Sequence, residues 1–149
     1  MRAVIQRCAR CEVQSEGEPC GRIGQGLVVL LGVQQGDTEK DADYMVDKIL
    51  HLRIFEDGGG KLNRSVMDIS GGVMIVSQFT LLGDCRHGRR PGFSEAAEPV
   101  RARKLYEYAA AACRNSGLQT ETGRFQTDMT VSLDNTGPVT ILLDSRRLF

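Results

Sequence analysis

The sequence predicts an α+β fold: a single domain with a largely antiparallel or mixed β-sheet and two main helices. Three observations lead there. β-type segments dominate the chain. Apolar residues recur with helical period in only two stretches. Those stretches are unevenly spaced, unlike the regular alternation of a doubly wound domain. The chain has 149 residues, within the span of about 100–200 expected of one domain, and no repeat or linker divides residues 1–149.

Met1 to Cys8 reads as a strand, and a second short one is expected near Glu12 to Gln14. Ser15 to Gly24 is rich in turn formers. Leu27 to Val33 is a continuous apolar, β-branched run, the pattern of a strand buried on both faces. Asp37 and Thr38 open a helix whose Ala42, Met45, Val46, Ile49 and Leu50 fall on one face. Glu39 and Asp41 crowd its first turn, where the helix dipole favours negative charge. Arg53 to Phe55 suggests a short strand, closed by Asp57-Gly58-Gly59-Gly60. Gly72 to Phe79 is another strand.

Ser94 to Cys113 carries the second helix, with Pro99 marking where its regular part starts. Its face is expected to be Leu105, Tyr108, Ala109, Ala112 and Cys113, and Gly117 suits its C-terminal end. Thr130 to Asp134 alternates as a half-exposed strand does. Asn135-Thr136-Gly137-Pro138 is a turn signal, and Val139 to Leu143 is the last strand.

Lys+Arg and Asp+Glu are 19 each, so the formal net charge is zero. That excludes a protein that coats nucleic acid by excess positive charge, though not a local basic patch. The longest purely apolar run, Leu27 to Leu31, is far short of the roughly 20 residues of a spanning helix. Arg7 and Arg10 interrupt the apolar start, which therefore does not read as a signal peptide. The five cysteines are scattered and odd in number, as expected of reduced thiols in the cytoplasm.

Several motifs carry possible chemistry. Cys8-Ala9-Arg10-Cys11 has redox or metal spacing, yet it follows a strand and lacks the helix N-terminus that activates a thiol. Structural thiols are the plainer reading. His51 ends a helix and His87 lies in a loop, and no Gly-x-Ser-x-Gly elbow or phosphate loop exists. Arg86, His87, Arg89 and Arg90 form the densest basic patch, with Arg101, Arg103 and Lys104 just beyond. The patch is either a solvated loop or a phosphate contact, since arginine's planar fork suits phosphate. Ser77-Gln78-Phe79-Thr80-Leu81 places polar groups at the end of an apolar strand. Gly137-Pro138 is either a plain hairpin turn or a special backbone feature, because X-Pro bonds can be cis.

Taken together these residues resemble the D-aminoacyl-tRNA deacylase (D-tyrosyl-tRNA deacylase) family across essentially the whole chain. The resemblance rests on Met1-Arg2-Ala3-Val4-Ile5-Gln6-Arg7, Gly26-Leu27-Val28-Val29-Leu30, Gly36-Asp37-Thr38, Lys61-Leu62-Asn63, Gly88-Arg89-Arg90-Pro91 and Leu105-Tyr106-Glu107. Two signatures dominate it: Ser77-Gln78-Phe79-Thr80-Leu81 and Asn135-Thr136-Gly137-Pro138-Val139-Thr140. Four positions depart from the family pattern. Phe125-Gln126-Thr127 stands where Phe-Gly-Ala is usual, His87 replaces a lysine, and Gly92 replaces a serine. A sister family carries Pro-Gln-Ala-Thr in place of the first signature, and Ser77 and Phe79 argue against that assignment.

The resemblance implies a barrel-like sheet, a homodimer and a hydrolase with no cofactor and no metal. It implies hydrolysis of the ester joining a D-amino acid to the terminal ribose of tRNA. Ser77, Gln78, Phe79 and Thr80 would form the catalytic segment, with backbone N–H groups near Gln78, Phe79 and Thr80 stabilising the oxyanion, helped by the ribose 2′-hydroxyl. Gly137 and Pro138, held by Arg7, would reach into the partner's pocket and reject an L side chain, so that glycyl-tRNA is also accepted. Phe79, Phe125 and Met129 would enclose the terminal adenosine, and Arg86, Arg89 and Arg90 would contact tRNA phosphates. A nucleic-acid-binding module without catalysis, and a thiol site at Cys8 and Cys11, are the alternatives.

Overall fold

A computed structural model describes residues 1–149. The element order is β1 (Arg2–Ser15), β2 (Glu18–Ile23), β3 (Gly26–Gly32), α1 (Glu39–His51), β4 (Phe55–Glu56), β5 (Leu62–Arg64), β6 (Gly72–Ser77), α2 (Pro99–Asn115), β7 (Thr120–Thr122) and β8 (Met129–Asp144). A 3-10 turn, Phe79–Leu82, follows β6.

The predicted α+β class is what forms. The main sheet runs β2-β1-β3-β6-β7, with β8 paired to β1. β1 is antiparallel to β2, β3 and β8, whereas β3–β6 and β6–β7 are parallel. The sheet curls nearly shut, because Gln119 Nε2 at the start of β7 donates to Arg22 O on β2 at 3.1 Å. β4 and β5 form a separate small ribbon.

Both faces of the sheet are buried. Ala3, Ile5, Leu27, Val29, Leu31, Val73 and Ile75 point one way, into a core shared with α1 and α2. Cys11, Val13, Val28, Met74 and Val76 point the other way, into a smaller core inside the curl. Two covered faces are why β3 reads as an unbroken apolar run. Truncating a fully buried residue such as Ile75 to Ala is expected to cost about 2–5 kcal/mol.

α1 forms as predicted. Thr38 caps it, with the Thr38 N–H donating to Asp41 Oδ2 at 2.8 Å, and all five predicted face residues are buried. α2 starts at Pro99, but its buried stripe is Leu105, Tyr106, Ala109, Ala110 and Cys113. Tyr108 is exposed instead, and its hydroxyl donates to Asp43 Oδ1 on α1 at 2.8 Å. The stripe shifts because α2 must face both the sheet and α1.

Other expectations change. β1 is one strand, not two, because bulges against β8 at Gln6/Cys8 and Cys8/Cys11 absorb the broken alternation. β2 forms within the stretch read as turns; its Pro19 lies opposite Gln14, beside a register shift, where the missing N–H is tolerated. β5 and β7 are too short to show a period. β6 ends at Ser77, so Phe79 belongs to the 3-10 turn. Thr130–Asp134 and Val139–Leu143 are not a hairpin: both halves pair with β1 as one strand, β8. No helix is long and apolar enough to cross a membrane.

Candidate active site

The site begins where β6 runs out. The Gln78 N–H donates to Leu31 O at 2.9 Å, one last rung of the parallel ladder. The chain then turns into the 3-10 segment, pinned by buried Leu82 and by Arg2 Nη1, which donates to Leu81 O at 3.3 Å. Gly32 makes room for this turn, since a Cβ there would lie 2.6 Å from Leu82 Cδ2 and 2.8 Å from Gln78 O.

The first N–H groups of any helical turn lack partners within it. Here they belong to Phe79 and Thr80. Gln78 differs from expectation, because its backbone N–H is already engaged with Leu31. Its side chain does something else: Nε2 donates to the Thr80 hydroxyl. Phe79 is exposed, and its ring meets Phe93 edge-on at 5.0 Å.

A cavity of about 720 Å³ opens in front of this turn. Ser77, Gln78, Phe79 and Thr80 form one wall, and Phe125, Gln126, Thr127, Asp128 and Met129 form the facing one. The first residues of α2, Pro99 and Ala102, floor it together with Leu31 and Val33 from β3. Phe125 and Met129 therefore do two things, packing on the cores and lining the cavity. Behind Phe125 stands Tyr106, at 5.7 Å between ring centroids. The Tyr106 hydroxyl donates to Ile75 O at 2.8 Å, and burial pushes its pKa up to about 12, so it remains a donor.

Gln126 and Thr127, two departures from the family pattern, stand in this wall beside Asp128. Gln126 occupies the left-handed region at φ +62°, which is where a glycine sits most easily. Thr127 anchors the wall, accepting from Ser15 Oγ at 2.7 Å.

Gly137 and Pro138 do not line this cavity. The Gly137–Pro138 peptide bond is cis. Gln6 pairs with Thr140 and Cys8 with Asn135, so the four residues Thr136 to Val139 bulge opposite Arg7 alone. Arg7 fills the bulge: Nε donates to Thr136 O at 3.1 Å and Nη1 to Ile54 O at 2.9 Å. Asn135 spans it from within, accepting from Val139 N–H and donating to Thr140 Oγ1, each at 3.2 Å. Gly137 has φ +117°, and a Cβ there would meet Arg7 Nη2 at 2.7 Å. The exposed dipeptide is thus presented outward on a braced strand.

The basic loop also lies outside the cavity. Asp84 and Gly92 exchange two backbone hydrogen bonds, of 2.7 and 2.9 Å, and so close its ends. Arg86 is paired two-pronged with Asp84, Nε to Oδ1 at 2.9 Å and Nη2 to Oδ2 at 2.7 Å. That pairing holds the Asp84 carboxyl down to about 2 and cancels the Arg86 charge. Arg89 and Arg90 are exposed. Arg101 is structural, donating to Asp37 O at 2.7 Å.

The thiol alternative loses ground. Cys8 and Cys11 are buried, and burial pushes their pKa values up to about 11 and about 12. Neither histidine lines the cavity, and His51 Nδ1 instead lies 2.9 Å from Asp47 O.

A family model described as D-Tyr-tRNA(Tyr) deacylase matches residues 4–144. A D-aminoacyl-tRNA deacylase of Desulfitobacterium hafniense (strain DSM 10664 / DCB-2) is 56% identical, with both chains covered in full. One from Thermosipho africanus (strain TCF52B) is 55% identical over the same extent. Among solved structures, the c-Myc DNA Unwinding Element Binding Protein superposes with TM-score 0.90 at 40% identity, covering 97% of this chain and 98% of that one. A probable eukaryotic D-amino acid tRNA deacylase shares the fold, with TM-score 0.80 at 17% identity, covering 95% and 97%.

Proposed function

The chain belongs to the D-Tyr-tRNA(Tyr) deacylase family, a hydrolase of aminoacyl-tRNA esters, and on that premise we propose how its residues act. The observation that carries the reading is the cavity at the end of β6, with the opening N–H groups of the 3-10 turn at its wall.

The terminal adenosine of the tRNA enters the cavity between Phe79 and the Phe125–Met129 wall. Water attacks the ester carbonyl, and the Phe79 and Thr80 N–H groups meet the oxyanion that develops. Fixed donors aimed at developing charge are commonly the largest catalytic contribution. Thr80 orients the water or the ester, itself held by Gln78. No histidine or lysine lines the cavity to activate it as a covalent nucleophile, and the carboxylate there, Asp128, stands on the facing wall. The ribose 2′-hydroxyl of the substrate takes part in proton transfer instead.

Chirality comes from a second copy of the chain. β8 pairs on one side only, so a 16-residue strand leaves its other edge unpaired. Partly covered Val131, Leu133, Val139 and Ile141 and exposed Leu142 lie along it. Such an edge calls for a partner, and a two-fold dimer would let each copy complete the other's site. Gly137 and Pro138 then enter the partner's cavity and exclude an L side chain. Specificity arises by rejection, so D-amino acids of many sizes and glycine pass.

Hydrolysis of D- against L-tyrosyl-tRNA by the purified protein, with Gly137→Ala alongside, tests this. Rapid D-specific turnover that weakens in the variant is expected. Equal rates on both enantiomers would overturn the steric account. Tight tRNA binding with no turnover would favour a pure nucleic-acid binder, as the name of the 40%-identical structure suggests for that protein.

A further inference from the structure

Beside the main cavity lies a second depression, of about 370 Å³, that no step above uses. Tyr106 and Phe125 line both, so they form the partition between them. One side is a stripe of α2: Arg103, Tyr106, Glu107, Ala110 and Arg114, residues that share a helix face. The other side is the segment from Thr122 to Phe125, which brings Arg124.

Three guanidinium groups and one carboxylate line this hollow, a local excess of two positive charges in a chain whose net charge is zero. Unlike Arg86, whose charge Asp84 takes up at 2.7 Å, they have no close carboxylate partner. Arg103 and Arg114 have no carboxylate within ion-pair range. Arg124 reaches only exposed Glu16, at 3.8 Å. Two of the three are oriented beforehand. Arg114 Nε donates to Thr120 O at 3.3 Å, and the Arg103 guanidinium lies 5.2 Å over the Phe125 ring. Fixed guanidinium planes suit the oxygens of a phosphate.

Resting on the deacylase reading, we infer that this depression binds a backbone phosphodiester of the RNA strand whose terminal nucleotide occupies the neighbouring cavity. The shared wall makes the link, since a strand crossing Phe125 would pass from a stacking surface directly to the arginines. Glu107 lowers the local excess from three positive charges to two.

The test is a coupling experiment on uncharged acceptor-stem minihelices, in which each of the last linkages is replaced in turn by a neutral methylphosphonate. One linkage is expected to weaken wild-type binding about tenfold, which is about one lost phosphate contact, and to have little effect on Arg114→Gln or Arg103→Gln. The salt dependence of binding should flatten by about 0.7 in log–log slope in those variants. Arg114→Lys, which keeps the charge, should restore part of the affinity. Arg103→Gln serves where loss of the Thr120 bond disturbs Arg114→Gln. If every linkage weakens wild type and both variants alike, the inference falls. Coupling to Arg89 or Arg90 in its place would also overturn it. These readouts involve no catalysis, so they stand apart from D-tyrosyl ester hydrolysis, whose failure would strike the functional reading alone.

Discussion

The guanidinium of Arg7 bridges two carbonyls from distant parts of the chain, Thr136 O and Ile54 O, with Nε–O 3.1 Å to Thr136. Its side chain is only 11% exposed. Arg7→Gln cannot span both, and losing such bonds costs about 1–3 kcal/mol. The Gly137–Pro138 bulge then loses its brace. D-tyrosyl-tRNA turnover is expected to fall by about 10²-fold, the usual penalty for misplacing a group near 1 Å, with the D/L ratio shrinking as well. Single-turnover rates on both enantiomers check this, with thermal melting to verify folding.

Gly32 governs the turn at the cavity wall. A methyl group there would press on Leu82 Cδ2 at 2.6 Å and on Gln78 O at 2.8 Å. One of the contacts is backbone, so the turn bearing Phe79 and Thr80 must move. Gly32→Ala is expected to lower kcat more than it raises KM, and to destabilise the fold by about 1–3 kcal/mol, as overpacking does. An unchanged kcat would show that the turn does not hold the reacting groups.

Gln126 sits at φ +62°. A left-handed conformation costs a non-glycine residue about 1–2 kcal/mol, and glycine returns part of that gain through its freer unfolded chain. Gln126→Gly should therefore raise stability by about 0.5–1 kcal/mol, seen as a melting temperature about 1–4 °C higher. A lower melting temperature would mean that the Gln126 side chain makes up for its backbone.

Burial raises the pKa values of Cys8, Cys11 and Cys113 to about 11, 12 and 11. An unfolded thiol ionises near 9.0. The folded state therefore holds these protons longer, and the stabilisation is complete below pH 9. It is lost as pH rises from 9 through 11 and 12. In native protein at pH 8 a thiol reagent is expected to modify exposed Cys85 and half-buried Cys20, leaving the other three until unfolding. Rapid reaction of Cys8 or Cys11 would revive the redox alternative.

In the proposed mechanism Thr80 positions the water or the ester, and the substrate's ribose takes part in proton transfer. Thr80→Ala should slow single-turnover deacylation by about 10–10²-fold, less than losing a nucleophile would. A 2′-deoxy terminal adenosine should slow it by about 10²–10⁴-fold, the range of general acid–base assistance. An inactive, folded Thr80→Ala together with a fully active deoxy substrate would reverse the assignment.

The sequence made the periodic elements legible. The α1 face and the doubly buried β3 followed from spacing alone, and α2 began at Pro99 as expected. Short strands carried no such signal: β5 and β7 have three residues each, too few to display a period. Arg86 illustrates a different limit. Its charge was plain in the sequence, but its pairing to Asp84 depends on how the loop folds back.

By itself the sequence determined the class of fold, the family and the two signatures that carry the chemistry, because local periodicity and residue order are written along the chain. Tertiary structure decided what those signatures do in space. It joined the two halves around Asn135-Thr136-Gly137-Pro138 into one bulged strand against β1, through hydrogen bonds to residues about 130 positions away. It also consumed the Gln78 N–H in a ladder bond to Leu31, leaving Phe79 and Thr80 to open the turn at the cavity. Which backbone groups stay free depends on which neighbours claim the others, and those neighbours meet only once the sheet has closed.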